Sequence, residues 1–307
     1  MKFISEEESR LLITHENAFD AVRNALIAAA VDNSSTIFPA VIAHAGRKHD
    51  VFTIKSGTTS TVSGLKVGSY WPENITKGQR NHNSTILLID HASGRISSVV
   101  EAGEVNAYRT AAADAVAASV LARPESSTLV VFGAGHQALF ECLALSRVLP
   151  IRDVLIVARD PVKSKQFENQ LKEHDLNATV SPSAQEACMQ AGIVVTATSA
   201  RAPLFEAAWI RPGTHIACMG ADSKGKQEVP PLLYPLARLF SDLPAQSRTI
   251  GEFQHVASSI EVIAIGDVLA GGQSGRQSKD EITIFDSSGI ALQDLFVAEH
   301  LVRLLDD

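Results

Sequence analysis

The stretch Ser127-Thr-Leu-Val-Val-Phe-Gly-Ala-Gly-His-Gln-Ala138 decides the fold of this chain. Its apolar run, residues 129–132, ends abruptly at a glycine turn, and residues 138–147 continue with helical spacing of apolar side chains. Strand, glycine turn and helix are the parts of a dinucleotide-binding β-α unit, in which the helix N-terminus receives a pyrophosphate. The alternative is a glycine turn without a nucleotide. The predicted cofactor-binding residues are Gly133, Ala134, Gly135, His136, Gln137 and Ala138.

Beyond this unit the chain alternates between strand-like and helix-like segments. This rhythm predicts an α/β fold with a Rossmann-type, doubly wound parallel sheet. The strand candidates are residues 129–132, 154–158, 193–196, 215–219, 239–241 and 262–264.

The end of the second of these strands bears on the choice between NAD and NADP. An acid there binds the ribose 2′-hydroxyl of NAD, whereas a basic side chain accommodates the 2′-phosphate of NADP. Ala158 occupies the usual acid position and Arg159 follows it, which favours NADP as the cofactor. Asp160 could still turn inward, and Arg159 could stack on the adenine of either cofactor, so both remain open.

The first part of the chain predicts a separate α+β domain. Helical patterns over residues 5–31 precede short β-like segments, and an Ala-rich helix over residues 106–122 follows. A terminal helix over residues 291–305 is expected to return to this domain. We therefore predict a discontinuous substrate-binding and dimerisation domain of residues 1–122 and 290–307, and an NAD(P)-binding domain of residues 123–289. The β-like segments are residues 38–43, 51–55, 63–70, 84–90 and 95–102.

Composition excludes several classes of protein. A net charge of −7 without a basic run argues against a nucleic-acid partner. No apolar run approaches the ~20 residues of a membrane span, and the N-terminus turns acidic at once, unlike a signal peptide. Cys142, Cys188 and Cys218 are well separated, with no Cys/His cluster, so we expect reduced thiols, no metal site and a cytoplasmic location.

Three charged residues stand at positions where a purely structural role would cost free energy, which makes them candidates for a functional site. Lys66 interrupts a strand between Leu65 and Val67, so its side chain is expected on the opposite face, although a solvated edge-strand lysine also fits. Arg109 stands in an Ala-rich helix start, either at the surface or as a fork for a carboxylate. Asp222 follows the fourth strand of the predicted nucleotide-binding domain, where ligands bind, or else belongs to a polar turn.

Six motifs follow one another along the chain in an order that resembles one known family. They are Gly64-Leu-Lys-Val67, Arg109-Thr-Ala-Ala112, Gly133-Ala-Gly-His-Gln137, Thr196-Ala-Thr198, Gly220-Ala-Asp-x-x-Gly-Lys-Gln-Glu228 and Thr283-x-Phe-Asp-Ser-x-Gly289. Together they span nearly the whole chain, which resembles the ornithine cyclodeaminase/mu-crystallin family. The resemblance implies a dimeric α+β substrate domain joined to a Rossmann domain that binds NAD(P)H.

The resemblance also implies roles for individual residues. Lys66 and Arg109 would hold the substrate α-carboxylate, and Asp222 would exchange protons with the reacting nitrogen, so that Lys66 and Asp222 count as catalytic. A 2-imino acid fits these residue types, because protonation of its nitrogen makes the C=N carbon accept a hydride from nicotinamide. The cofactor contacts implied besides Arg159 and the glycine loop are Thr196, Thr198, Met219 and Gly220.

The chain departs from the family pattern at two places that bear on the substrate. Residues 38–42 lack the arginine that many members have there. Residues 51–57 carry Lys55 in place of the carboxylate that receives the distal ammonium in cyclodeaminases. A lysine repels an ammonium and attracts a second carboxylate. Arg80 and His82 could add to the same pocket.

We therefore hypothesise an NAD(P)H-dependent enzyme that reduces a 2-imino acid to the L-amino acid, or runs in reverse as a dehydrogenase. Iminosuccinate, reduced to aspartate, is the leading substrate. Alternatively, Lys55 replaces the missing arginine at the α-carboxylate, and the substrate is a small or cyclic imine, as for alanine dehydrogenase or a pyrroline-2-carboxylate or ketimine reductase. Lys55 argues against ornithine cyclodeaminase activity, and the retention of Lys66, Arg109 and Asp222 argues against a non-catalytic, crystallin-like role.

Overall fold

The computed structural model describes residues 1–47 and 49–306, which form two compact units. Unit 1 combines Met1–Arg109 with Ile290–Asp307, and unit 2 is Thr110–Gly289. One division therefore lies at 289/290, where the sequence predicts it. The other lies at 109/110, inside the Ala-rich helix and not at 122/123. The end of that helix belongs to unit 2, where the Leu121 carbonyl accepts a hydrogen bond from Thr283 Oγ1 at 3.0 Å.

Unit 1 begins with a short strand and two helices and continues into the rest of a sheet. A capping box opens the first helix, as the acidic N-terminus predicts: Ser5 N–H donates to the Glu8 carboxylate at 2.8 Å, and Glu8 N–H donates back to Ser5 Oγ at 3.3 Å. The strand predicted over 38–43 is observed only from Val41, because Pro39 before it has no N–H to donate. The elements are β1 Lys2–Ile4, α1 Glu6–Leu12, α2 His15–Val31, β2 Thr36–Ile37, β3 Val41–His44, β4 Val51–Thr58, β5 Ser63–Tyr70, β6 His82–Ile89 and β7 Ile96–Glu101.

The sheet of unit 1 has the strand order β1-β7-β6-β5-β4-β2, with β3 also paired to β4. Its strands are antiparallel except β1, which adds to β7 in parallel and was not predicted, because three residues are too few to show alternation. Alternation gives the sheet two faces. Lys66 and Ile86 lie opposite each other on the buried face, whereas Leu65 and Val67 are half-buried on the other.

Unit 2 is built on a parallel sheet of eight strands with helices between them. The elements of this unit are α3 Val105–Leu121, which begins in unit 1, β8 Thr128–Phe132, α4 His136–Val148, β9 Asp153–Val157, α5 Pro161–Glu173, β10 Asn177–Val180, α6 Ala184–Gln190, β11 Ile193–Thr196, β12 His215–Cys218, β13 Ala237–Ser241, α7 Pro244–Ile250, β14 Val262–Ala264, α8 Ile265–Leu269 and β15 Ile282–Asp286. The strand order is β10-β9-β8-β11-β12-β15-β13-β14. The order turns at β8, as in doubly wound sheets, which confirms the predicted Rossmann-type architecture. The short edge strand β10 was not predicted.

The last helix, α9 Ala291–Leu304, returns to unit 1, as predicted, and packs on α2 and across β4, β5 and β6. Two glycines of the sheet allow this close approach. A Cβ at Gly64 would lie well inside contact distance of the Leu87 carbonyl oxygen and 2.9 Å from Leu295 Cδ2. A Cβ at Gly57 would lie 3.2 Å from Leu292 Cδ2. The buried face of the sheet is therefore fitted to α9.

Some classes of site are absent from the described part of the chain. No helix in residues 1–47 and 49–306 is long and apolar enough to cross a membrane. The same residues contain no group of three or more His, Cys, Asp or Glu side chains arranged to hold a metal ion. Cys142, Cys188 and Cys218 are free and buried.

A buried glutamate fixes the segment between β12 and β13. The carboxylate of Glu252 accepts hydrogen bonds from Glu228 N–H at 3.0 Å, Val229 N–H at 2.8 Å and Tyr234 Oη at 3.0 Å. Burial, opposed only in part by these bonds, raises the pKa of Glu252 from 4.5 to about 7. The protonated form therefore stabilises the fold below pH 4.5, and this contribution is lost as the pH rises through about 7.

Replacing Gly64 with alanine should destabilise the protein by about 2 kcal/mol, because the methyl group overlaps the Leu87 carbonyl of β6 and the Leu295 side chain of α9. Urea unfolding measures the change. Gly68→Ala on the same strand is the matched control, since its Cβ meets only side-chain atoms, Thr53 Oγ1 at 3.1 Å and Lys66 Cε at 3.8 Å. Equal effects of the two substitutions would contradict this account of helix docking.

Replacing Glu252 with glutamine should change how stability depends on pH. Glutamine mimics the protonated acid, so the stability of the variant relative to wild type should rise by about 2 kcal/mol between pH 5 and pH 8. Urea unfolding at both pH values provides the measurement. Glu261→Gln, at an exposed position, is the control and should show no such rise. Parallel behaviour of Glu252→Gln and wild type would show that Glu252 does not titrate in this range.

Candidate functional site

Two buried cations of unit 1 share one carboxylate. Lys66 lies in the central strand β5 and Arg109 in the first turns of α3, and both are less than a tenth exposed. Lys66 Nζ lies 2.8 Å and Arg109 Nε 3.0 Å from the same atom, Asp294 Oδ1 of α9. The alternatives of a solvated Lys66 and a surface Arg109 are therefore wrong. Arg109 instead forms an ion pair, through Nε, with a carboxylate of the chain itself.

Two amides complete the arrangement around the cations. Asn106 Oδ1 accepts hydrogen bonds from Lys66 Nζ at 2.5 Å and from Arg109 Nη2 at 2.7 Å, so it bridges the same two groups as Asp294. Gln293 Oε1 accepts a further bond from Arg109 Nη1 at 3.3 Å. The two cations are thus held side by side by two oxygen atoms, one charged and one neutral. A preorganised pair of this kind suits a carboxylate.

The protonation of Lys66 is finely balanced. Burial, with the charges of Arg109 and Lys55, lowers its pKa from 10.5 to about 7, against the opposing effect of Asp294. Burial raises the pKa of Asp294, but the charges of Arg109 and Lys66 more than offset this, so the net pKa is lowered and Asp294 is ionised. Lys66 can therefore gain or lose a proton near neutral pH.

The other predicted substrate residues lie at different places in unit 1. Lys55 is the cross-strand neighbour of Lys66 in β4 and, as its effect on the Lys66 pKa shows, belongs to the same electrostatic environment. His82 is exposed at the start of β6, where its ring lies 4.6 Å from that of Tyr70. Arg80 is not a pocket residue, because its guanidinium is bound at the surface by two glutamates. They are Glu6, at 2.9 Å, and Glu104, at 2.8 Å.

The glycine loop of unit 2 has the geometry of an anion-binding turn. Gly133 has a φ of +116°, and a Cβ there would lie 2.8 Å from the Ala197 carbonyl oxygen, so a side chain is excluded. Gly135 precedes the first residue of α4, and a Cβ there would meet no atom within 4 Å. Backbone can thus approach a phosphate closely at the start of this helix.

The remaining loop residues support the same turn. Ala138 is fully buried, which lets α4 pack closely on the sheet. The ring of His136, which is exposed, lies 4.8 Å from that of Phe140, and Gln137 Nε2 donates to Glu141 Oε1 at 2.7 Å. Ala134 lies between the two glycines. The predicted loop residues therefore all lie in one turn and the first turn of α4.

The end of β9 carries an acidic and a basic side chain in succession. Asp160 caps α5 through one oxygen, Oδ1, which accepts hydrogen bonds from Val162 N–H at 3.0 Å and Lys163 N–H at 3.1 Å. Arg159 before it is exposed, where a basic side chain suits a 2′-phosphate or stacking on adenine.

Glu228 connects the carboxyl ends of β11 and β12. The sequence did not predict this role for it. Its buried carboxylate accepts hydrogen bonds from Thr196 Oγ1 at 2.9 Å, Thr198 N–H at 2.8 Å, Thr198 Oγ1 at 2.6 Å and Gly220 N–H at 3.0 Å. Three of the predicted cofactor residues therefore share one acceptor, and the fourth, Met219, is buried beside Gly220. Burial still outweighs these bonds and raises the pKa of Glu228.

Asp222 lies in the loop after β12 and has a cationic neighbour. Its side chain is exposed, and Asp222 Oδ1 lies 2.6 Å from Lys226 Nζ. Lys226 also donates to the Gly220 carbonyl at 3.0 Å, so it ties Asp222 to the end of the strand. The motif that carries Asp222 thus contains its own positioning groups, Lys226 and Glu228.

The structure adds four residues to those that the sequence singled out. Lys226 and Glu228 belong to the Gly220–Glu228 motif, which was a signal for them. Asn106 is three positions before Arg109 in α3, a helical spacing that predicts a contact. Asp294 had no local signal, because an acidic residue early in a terminal helix usually faces solvent.

Comparison with known proteins agrees with this architecture. The sequence profile of the ornithine cyclodeaminase/mu-crystallin family matches residues 6–303. The chain is 36% identical over 311 residues to the iminosuccinate reductase of Paracoccus denitrificans, which covers 99% of this chain and 96% of that protein.

Solved structures are similar from end to end. The crystal structure of that Paracoccus denitrificans enzyme in complex with NAD+ matches with a TM-score of 0.93 at 35% identity, covering 100% of this chain and 96% of the other. An archaeal alanine dehydrogenase dimer with bound NAD gives 0.91 at 31% identity, covering 99% and 95%. The Δ1-pyrroline-2-carboxylate reductase of Thermococcus litoralis, in complex with NADH and L-proline, gives 0.89 at 26% identity, covering 99% and 97%. This chain belongs to the ornithine cyclodeaminase/mu-crystallin family.

Proposed function

We propose that this protein is a nicotinamide-dependent imino acid reductase whose leading substrate is iminosuccinate, the product being L-aspartate. The observation that carries the proposal is the buried pair of Lys66 and Arg109, held side by side with Lys55 on the neighbouring strand. Three basic side chains, two from one face of a sheet and one from the helix α3, suit a small dianion. The relative that reduces iminosuccinate matches the chain along its whole length, which supports the same choice.

The cofactor fits the glycine loop of unit 2. The start of α4 would hold the pyrophosphate, because Gly133 supplies the positive φ of the turn and a Cβ at Gly135 would meet no atom within 4 Å, which leaves room for a phosphate beside the backbone. Thr198 and Gly220 lie at the strand ends where ligands of such sheets bind. When bound there, a reduced nicotinamide supplies the hydride. Asp160 is used as a helix cap, so Arg159 favours NADPH, while the named relatives contain NAD+, NAD or NADH.

The side chains of this chain have separate tasks in the reduction. Lys66 and Arg109 bind the α-carboxylate and orient the imine. Asp222, after taking up a proton from solvent, passes it to the imine nitrogen and returns to the carboxylate, so that the carbon of the C=N bond becomes electrophilic. Lys226 holds the Asp222 carboxylate in one position by its ion pair. Lys55 binds the second carboxylate and thereby selects a dicarboxylic imine.

A second candidate is the reduction of a monocarboxylic or cyclic imine. In that case Lys55 would join Lys66 and Arg109 at the α-carboxylate, which its position opposite Lys66 also permits. The relatives that act on alanine or bear the name pyrroline-2-carboxylate reductase favour this reading. An ornithine cyclodeaminase is disfavoured, since β4 carries Lys55 and no acidic side chain. The two candidates differ in what Lys55 binds.

A substrate panel with wild type and Lys55→Met separates the two candidates. We expect wild type to oxidise NADH or NADPH faster with oxaloacetate plus ammonia than with pyruvate plus ammonia or pyrroline-2-carboxylate. Lys55→Met should lower kcat/KM roughly 30-fold for the dicarboxylic imine, equivalent to about 2 kcal/mol, and much less for the others. A wild-type preference for a monocarboxylic imine would overturn the choice of iminosuccinate.

We also propose that the protein is a homodimer formed through the second face of the unit 1 sheet. This face carries half-buried aliphatic side chains, with Phe3 58% and Val41 56% exposed. A contiguous apolar sheet face is typical of a subunit interface, and the archaeal alanine dehydrogenase that matches the whole chain is a dimer. Its remaining apolar members are Ala43, Phe52, Ile54, Leu65, Val67, Leu87 and Val99.

Val41→Asp should shift the protein from dimer to monomer, because a second subunit would have to bury the new carboxylate. Analytical ultracentrifugation across a range of protein concentrations provides the measurement. Leu11→Asp is the control, since Leu11 is 72% exposed on α1 and lies away from this face. A Val41→Asp protein that remains dimeric would place the interface elsewhere.

A further inference from the structure

We propose that Asp294 is a positioning residue that holds the Lys66 ammonium and the Arg109 guanidinium together as one carboxylate-binding pair. The inference rests on the function proposed above for these two cations. Asp294 is 1% exposed, and a single atom, Oδ1, lies 2.8 Å from Lys66 Nζ and 3.0 Å from Arg109 Nε. It approaches them from α9, whereas the cations come from β5 and α3.

The need for an anion at this point follows from the charges around Lys66. Arg109 faces it from α3 and Lys55 from β4, and both are positive, while its neighbour in β6 is the apolar Ile86. Asp294 of α9 supplies the negative charge that acts on Lys66. Two cations held together away from water repel each other strongly, and an anion between them removes that cost.

Asn106 and Asp294 have different tasks, although they bridge the same two cations. The Asn106 amide oxygen accepts a hydrogen bond from each but carries no charge. It therefore fixes the geometry without changing the protonation of Lys66 by a charge. Asp294 does both, since it is an ion-pair partner as well as an acceptor. Loss of Asp294 should consequently change the proton affinity of Lys66, which a merely structural residue would not.

Loss of the Asp294 charge should lower the pKa of Lys66. With Asp294 present, the pKa of Lys66 is about 7, below its ordinary value mainly because of burial and Arg109. Without the Asp294 charge, burial, Arg109 and Lys55 remain, and the pKa falls further. Lys66 is then neutral at pH values where the wild-type side chain is still charged, and a neutral amine attracts the substrate carboxylate less.

The first test measures Lys66 in the free protein, without any reaction. The 13Cε resonance of Lys66, assigned by its absence in Lys66→Arg, is titrated by NMR in wild type and Asp294→Asn. We expect the Lys66 pKa to fall by about one unit or more in Asp294→Asn. Asp50→Asn is the matched control, a buried aspartate of unit 1 that pairs with Arg47, and should leave it unchanged. An unchanged pKa in Asp294→Asn would overturn the inference.

The second test follows kcat/KM for the imine against pH. In Asp294→Asn the decline at high pH should begin about one unit lower, giving a roughly tenfold loss at pH 8 and little loss at pH 6. An equal loss at every pH would mark a structural role and refute the proposal. Wild-type protein without imine turnover would refute the proposed function, whereas the NMR titration would still decide the role of Asp294.

If Asp294→Asn prevents folding, a measurement of thermal stability in a second background tests the inference instead. The substitution is repeated in a Lys66→Met/Arg109→Met background, where no buried cation is left to be paired. We expect Asp294→Asn to be well tolerated in that background, with a folded protein and a near-normal melting temperature. Failure of the background to restore folding would show that Asp294 acts on something other than these two cations.

Discussion

A single carboxylate, that of Asp294, joins charged groups from three segments that are far apart in the chain. Its partners Lys66 and Arg109 come from the middle of the unit 1 sheet and from the first turns of α3. Buried charges must be paired, so α9 has to dock where Asp294 reaches both. Gly57 and Gly64 allow that docking by leaving room for the helix on the sheet. The docking of α9 on unit 1 therefore also fixes the positions of the two cations.

Unit 2 uses a buried carboxylate in a different way. Glu228 accepts four hydrogen bonds from neutral donors of Thr196, Thr198 and Gly220, with no basic side chain among these contacts. It fixes the shape of the strand ends instead of the charge there. Its own backbone N–H is bound by Glu252, so the rigidity of this edge depends on a second buried acid. The donors to Glu228 are neutral, so it holds the strand ends in place without a paired cation, whereas Asp294 holds two cations in place.

Patterns that repeat along the chain were predictable from sequence, and interactions between distant single residues were not. The strand β5 and the strand β11 were predicted residue for residue, because alternation or a bounded apolar run marks them. The strand β1 has only three residues, and β10, Asn177–Val180, contains no apolar run; both lie at sheet edges, where pairing with one neighbour forms them. Asp294 looks like a solvated helix residue until α9 is docked, and Arg80 looks like a pocket residue until Glu6 and Glu104 are placed beside it.

The proposed substrate class depends on a cross-strand pair of like charges. Lys55 and Lys66 are directly opposite each other on antiparallel strands, where like charges destabilise a sheet. Asp294 acts on both the Lys66 and Arg109 charges, and the effect of Lys55 is still large enough to lower the pKa of Lys66. A monocarboxylate brings one negative charge to Lys55 and Lys66, whereas a dicarboxylate can place one carboxylate at each lysine. Because two negative charges offset more of this repulsion than one, the pair of lysines supports our proposal of a substrate with two carboxylates.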